Sequence, residues 1–131
     1  MIALDTNMLI RALVADDPAQ VEVVQRLMAT NTVFISRTVL LETEWVLRSR
    51  YKKTRVQLQA FLTALIDTDN LIVEAADAVS HAIEWYIQGA DFADAMHLSA
   101  CDSAVMHTFD RDFCKDARQV GVAPEVNVWA V

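Results

Sequence analysis

Apolar residues fall along this chain in two rhythms. Short unbroken runs, at Ile2 to Leu4, TVFIS, LIVE (71–74), AVMHTF (104–109) and VNVW (126–129), read as buried strands. Between them apolar positions recur every three or four residues, the spacing of a helix with one inward face. The first such stretch runs from Asn7 to about Val14. The sequence DDP then marks a new start, with Asp17 suited to the cap and Pro18 to the first helical position. That helix reaches about Ala29 and gathers Val21, Val24, Leu27 and Met28 on one side. VLLETEWVLRSRY predicts a third helix, turning Leu40, Trp45 and Val46 toward a core or a partner. Thr54 is placed to cap a fourth, with Leu58, Phe61, Leu62 and Leu65 as its stripe. A helix from about Asp77 to Gln88 stops at Gly89, another covers 91–104, and a short basic one spans Lys115 to Gln119 before a turn at Gly121. Strands alternating with helices predict an α/β fold with a mostly parallel sheet, in which chemistry gathers beyond the carboxyl ends of the strands.

The length, 131 residues, suits one domain over 1–131. A composition 54% hydrophobic, with two Gly and two Pro, is neither disordered nor rich in linkers. The first apolar segment is interrupted by Asp5 and Arg11, so neither a membrane helix nor a signal peptide is expected, and the expected location is the cytoplasm. Cys101 and Cys114 lack a CxxC or Cys/His pattern and read as buried small apolar residues. The net charge of −7 opposes binding to a polyanion, but five of the eleven basic residues stand in VLRSRYKKTR: Arg48, Arg50, Lys52, Lys53 and Arg55. One basic surface beside an acidic pocket is compatible with that distribution.

Asp5 ends the first strand, and Asp110 and Asp112 follow the late one. If both strands are central and parallel, these carboxylates emerge on the same edge. Asp91 and Asp94 share a face in the first turn of one helix. Glu42 stands in an apolar setting, VLLET, where a buried carboxylate is costly without a positive partner. No Lys or Arg interrupts the neighbouring apolar stretch, whereas a divalent cation could draw in Glu42, Asp5, Asp94 and an aspartate of DRD. The all-oxygen donor set suits Mg²⁺ or Mn²⁺ better than zinc.

Each residue also has a plainer role. Asp5 is a natural helix cap, which does not exclude metal binding; Thr6 suits a turn or a supporting hydroxyl, and Asn7 a local backbone bond or the orientation of Asp5. Glu44, two residues from Glu42, reads as solvated. Asp91 reads as an N-cap, leaving Asp94 better placed to reach inward. Asp110 is favoured over Asp112 because it lies nearer the strand end. His97 could orient Asp94 but reads more simply as a satisfied histidine, and His81 and His107 earn no assignment. Trp45, Trp85, Tyr86 and Trp129 read as core or interface aromatics. The 48–55 group divides between a solvated helix end and contact with RNA phosphate or an acidic partner.

ALDTN, ISRTVLLETEWVL, DFADAMHLSA and HTFDRDF together resemble, in order and spacing, the successive motifs of the PIN-domain nucleases, especially the VapC toxins of bacterial toxin–antitoxin pairs. The resemblance covers nearly the whole chain and implies a PIN-like three-layer α/β/α fold. It places the acidic ligands on Asp5, Glu42, Asp94 and either Asp110 or Asp112. Thr6 and Asn7 match the polar pair after the first aspartate, and Thr108 the threonine before the last acid. It further implies an Mg²⁺- or Mn²⁺-dependent endoribonuclease acting on RNA such as tRNA or rRNA. Such a protein is usually a homodimer held inactive by a cognate VapB-like antitoxin, through which alone it would meet DNA. Arg11, Arg37 and the 48–55 group would contact RNA or a partner. The expected products carry a 5′ phosphate and a 3′ hydroxyl.

Two other readings fit parts of the pattern. A phosphohydrolase could use Asp5 as a covalent nucleophile, but ALDTN lacks a second aspartate two residues on, and no lysine stands in an evident phosphate-stabilising position. A noncatalytic interaction module would make the acids solvated caps and the basic group a docking site.

Overall fold

The computed structural model describes residues 1–121 and 124–131. Among them are five strands and seven helices, in the order β1 (Ile2–Ala3), α1 (Thr6–Leu13), α2 (Pro18–Thr30), β2 (Val33–Ile35), α3 (Arg37–Ser49), α4 (Arg55–Asp67), β3 (Leu71–Val73), α5 (Ala76–Ile87), α6 (Phe92–Ser99), β4 (Met106–Thr108), α7 (Lys115–Gln119) and β5 (Val126–Val128). The α/β class with parallel strands is therefore as expected. The chain divides into two compact units, Met1–Ala76 and Asp77–Val131.

In the first unit β1, β2 and β3 form a parallel ladder in that order, with Ile2 beside Val33, and Val33 and Ile35 beside Leu71 and Val73. Parallel neighbours need long crossovers, which the pairs α1–α2 and α3–α4 provide. Val33, Ile35, Leu71 and Val73 are buried with Leu9, Leu40, Leu58 and Leu62. Within this ladder β1 is an outer strand, paired with β2 alone, and Asp5 turns the chain into α1 soon after Ile2 and Ala3.

Local chemistry fixes the helix starts. Asp17 caps α2 by accepting from the Gln20 N–H, with Pro18 opening the helix. Ser36, which carried no expectation, caps α3 through the Val39 N–H. At α4 the cap is reciprocal: Thr54 Oγ1 accepts from Gln57 N at 3.2 Å, and Gln57 Oε1 accepts from Thr54 N at 2.9 Å. Thr54→Ala removes half of that exchange at an exposed site. It is expected to cost about 1 kcal/mol and lower the melting midpoint by about 3–5 °C, measured by calorimetry. The α4 stripe is as expected, with Leu58, Leu62 and Leu65 buried and Phe61 half-buried.

In the second unit β4 and β5 form a parallel pair, with His107 beside Asn127. Its core holds Val79, Ile83, Trp85, Tyr86, Phe92, Leu98 and Phe113. The expectation of a helix over 91–104 is corrected: α6 ends at Ser99. The Cys101 N–H tightens onto Leu98 O, Asp102 takes a left-handed φ of +56°, and Ala104 N–H closes a turn on Cys101 O. Aspartate tolerates that backbone region better than most residues, so the chain turns away two residues past the Ala100 cap without a glycine.

Candidate functional site

The site residues of the first unit lie on α1 and α3. Asp5 leaves β1 in extended conformation and caps α1, its Oδ1 accepting from Met8 N at 3.1 Å. Thr6 is buried, and Asn7 is exposed. Asp5 at the cap, Asn7, Met8 and Arg11 from α1, and Ala19, Gln20, Val23 and Val24 from α2 line a cavity of about 430 Å³. Arg11 is braced at its rim: the guanidinium pairs with Asp16, donates to Gln20 Oε1 at 2.9 Å and reaches the Tyr51 hydroxyl at 3.3 Å. Arg37 is tied to the end of β3, its backbone N–H donating to Glu74 Oε1 at 2.8 Å and its guanidinium lying 3.6 Å from the other oxygen.

Helix α3 corrects the reading of its two glutamates. Its inward positions are Leu40, Thr43, Glu44 and Leu47, spaced as one helical face. Glu44, expected to be solvated, is 2% exposed. It is neutralised one turn on by Arg48, whose Nε donates to Oε2 at 2.9 Å. Glu42 is the exposed one. Leu40 turns into the core while Glu42 turns outward, so burial gives Glu42 no need for a positive partner. Trp45, expected to face a core or partner, is 51% exposed on the same outer stripe.

The second unit builds an acidic pocket. Asp91 caps α6 through Oδ2, which accepts from Asp94 N at 3.1 Å, and so fixes the helical turn that carries Asp94. After β4, Thr108 Oγ1 accepts from Asp110 N at 3.0 Å and Asp110 Oδ1 accepts from Asp112 N at 2.9 Å, folding the DRD segment on itself. Asp91, Asp94, Asp110 and Asp112 then line one cavity of about 360 Å³ with Gly89, Ala90, Lys115 and Asp116. The expected acids of this unit are thus brought together. Gly89 is needed at its wall: φ is +118°, and a Cβ there would sit 3.2 Å from Asp116 Oδ2.

Crowding of like charge has a measurable sign. Burial, followed by the charges of Asp91 and Asp110, pushes the Asp94 carboxyl above its ordinary value, while His97 works weakly the other way. Asp110 and Asp112 both line the cavity with Asp94, and the charge of Asp110 is among those that oppose the ionisation of Asp94. The thiol of buried Cys114 is pushed up to about 12, first by burial and then by Asp94, so it is a neutral packing group. Cys101, expected to be buried, is half-buried and its thiol donates to His97 O at 3.4 Å.

Lys115 and Asp116 were not anticipated. Their only sequence signal is the density of acids in FDRDFCKD, and they reach the cavity because Cys114 takes a left-handed φ of +47° just before α7. The donors are all carboxylate oxygens, the chemistry that a hard divalent cation prefers. Among the described residues no group of three or more His, Cys, Asp or Glu is arranged to hold such an ion as it stands. Asp91 and Asp110 each commit an oxygen to a backbone N–H, and unneutralised carboxylates repel one another.

The basic group presents Arg50, Lys52 and Arg55 to solvent, with Arg48 bonded to Glu44. No helix among the described residues is long and apolar enough to cross a membrane. Compared with protein families, residues 2–118 match the model of the PIN domain. No curated protein matches the chain.

Proposed function

Because the chain belongs to the PIN-domain family, whose members are generally metal-dependent nucleases, we propose that it is an endoribonuclease and the toxin of a VapBC-type pair. The observation that carries the nuclease reading is the acidic cavity of the second unit, where Asp94 is held with its carboxyl raised by burial and by Asp91 and Asp110. A cavity that disfavours its own charge gains most from a cation.

Asp5, Glu42, Asp94 and Asp110 are the proposed catalytic residues, with Asp112 contributing directly or through water. A bound Mg²⁺ or Mn²⁺ would supply an acidified water and neutralise charge on the scissile phosphate and the departing 3′ oxygen. The chain's own part is positional. Asp91 holds the turn bearing Asp94, and Thr108 holds the backbone of Asp110. Thr6 and Asn7 support Asp5. Lys115 gives the cavity wall a cation that can face a phosphate. The family match runs through both units, which supports one nuclease domain over 1–131. The VapC-like motif order supports the finer parts of the proposal: tRNA or rRNA as substrate, a cytoplasmic homodimer, and inhibition by a VapB-like antitoxin through which DNA is contacted.

The test is incubation of purified, antitoxin-free protein with total cellular RNA in Mg²⁺, Mn²⁺ or chelator, with product ends mapped by sequencing. Cuts at a few positions, bearing 5′ phosphates and absent in chelator, are expected. Cleavage that persists in chelator, or ends carrying a cyclic phosphate, would sink the reading. An acid-stable phosphoryl group trapped on Asp5 would move it to the phosphohydrolase class.

A further inference from the structure

The acidic cavity of the second unit holds one basic residue in its walls. Asp91, Asp94, Asp110, Asp112 and Asp116 line it with Lys115, which none of the described residues engages in an ion pair. The backbone fixes that lysine in place. Cys114 takes a left-handed φ of +47°, which strains any residue but glycine, and the packing around it holds the strain: Phe113 and Cys114 are buried, and Phe113 N–H donates to Asp110 O at 3.3 Å. Lys115 N–H donates to Asp112 O at 3.2 Å, and Arg118 Nη2 to Arg111 O at 2.7 Å. The DRD segment and the start of α7 are therefore one bonded unit, which turns its apolar residues inward and leaves Lys115 exposed with Asp110 and Asp112.

A lysine so placed acts on any ion that enters. A cavity of about 360 Å³ is on the order of 9 Å across, roughly one screening length at physiological salt, so salt does not hide two cations in it from each other. The first divalent ion gains more from the carboxylates than it loses to the ammonium. Burial, and then the charges of Asp91 and Asp110, keep the Asp94 carboxyl above its ordinary value even with Lys115 in place, so the lining still lacks positive charge. A second ion would meet the repulsion of both cations, with Asp91 and Asp110 each already committing an oxygen to a backbone N–H. We propose that Lys115 is a tethered counter-ion standing in for a second divalent cation, so that the cavity takes one ion and the ammonium meets the phosphate oxygen that a second ion would face. This rests on the nuclease reading, and it adds the ion count and the residue that sets it. Two-ion sites clamp the attacking and departing oxygens from both sides. An ammonium brings a single charge with three donors, and neither dilution nor a chelator removes it.

The test is a Mn²⁺ titration of the metal-free full chain followed by electron paramagnetic resonance, beside hydrolysis of bis(p-nitrophenyl) phosphate, in wild type, Lys115→Met and Lys115→Arg. Methionine keeps the apolar stem and removes the charge. Wild type and Lys115→Arg are expected to take one Mn²⁺, and Lys115→Met to take two. At a Mn²⁺ concentration just sufficient for one ion, Lys115→Met should cut the diester about a hundredfold more slowly than wild type. Raising Mn²⁺ should recover most of that rate, with a metal dependence of second order in place of first. Lys115→Arg should keep the first-order dependence and most of the rate. Because the residue is exposed at the start of a short helix, both variants should keep the wild-type circular dichroism. Two ions in wild type, or one in Lys115→Met whatever its rate, overturns the proposal. A wild type that takes one ion yet cuts no diester counts against the nuclease reading, and the ion count of Lys115→Met still decides the role of Lys115.

Discussion

Asp94→Asn is expected to lower the proposed metal-dependent RNA cleavage by at least about a hundredfold, equivalent to ~2.7 kcal/mol of transition-state stabilisation, and to raise the melting midpoint of the protein in chelator at neutral pH. The two effects share a cause. In the folded chain the Asp94 carboxyl lies above its ordinary value of 3.8, because burial and the charges of Asp91 and Asp110 oppose its ionisation. A group whose folded value is raised contributes stability below its unfolded value, and that contribution is lost as pH rises through the folded one. At neutral pH the ionised carboxylate is therefore a burden on the metal-free fold, and the neutral amide removes it. The midpoint gap between variant and wild type in chelator should narrow as pH falls toward 3.8. A divalent ion should raise the wild-type midpoint and leave the variant nearly unmoved. Scanning calorimetry across pH, with and without Mn²⁺, reads all of this. A variant that melts below wild type in chelator, or a gap that ignores pH, contradicts the account.

The largest effect on stability is expected at Phe92. Its ring meets Tyr86 edge-on, with centroids 5.3 Å apart and planes at 77°, and both residues are 1% exposed. Phe92→Ala deletes a large apolar side chain and leaves a cavity at the first position of α6, at a cost of about 3–5 kcal/mol. Phe92→Leu keeps much of the volume and should cost about 1–2 kcal/mol. Urea unfolding with an unchanged slope checks both values. Because Phe92 stands between the capping Asp91 and Asp94, the alanine variant should also lose activity at temperatures where it remains folded. Loss of less than about 1 kcal/mol on truncation would mean that the second unit collapses around the gap.

How legible these features are in the sequence depends on how local their causes are. Asp5, Asp17, Thr54 and Asp91 are readable as caps because each needs only its own side chain and an N–H three residues on. The α4 stripe is readable because one face is wholly apolar. In α3 the phase is obscured by a polar residue on the inward face: Glu44 is admitted by Arg48, a pairing that alternation of residue types does not reveal. The end of α6 hides because Asp102, rather than glycine, takes the left-handed step. Asp94 and the DRD segment are recognisable in sequence, but Lys115, Asp116 and Gly89 join them only through backbone geometry at Cys114 and Gly89.

The early end of α6 has an evolutionary consequence. Residues 102–105 are all exposed and separate the helix bearing Asp94 from the strand leading to Asp110. Insertions and drift are tolerated where backbone is exposed and little is packed upon it. Descendants of this chain can therefore vary the length of that connection, or accept a foreign peptide within it, while selection holds the residues on either side.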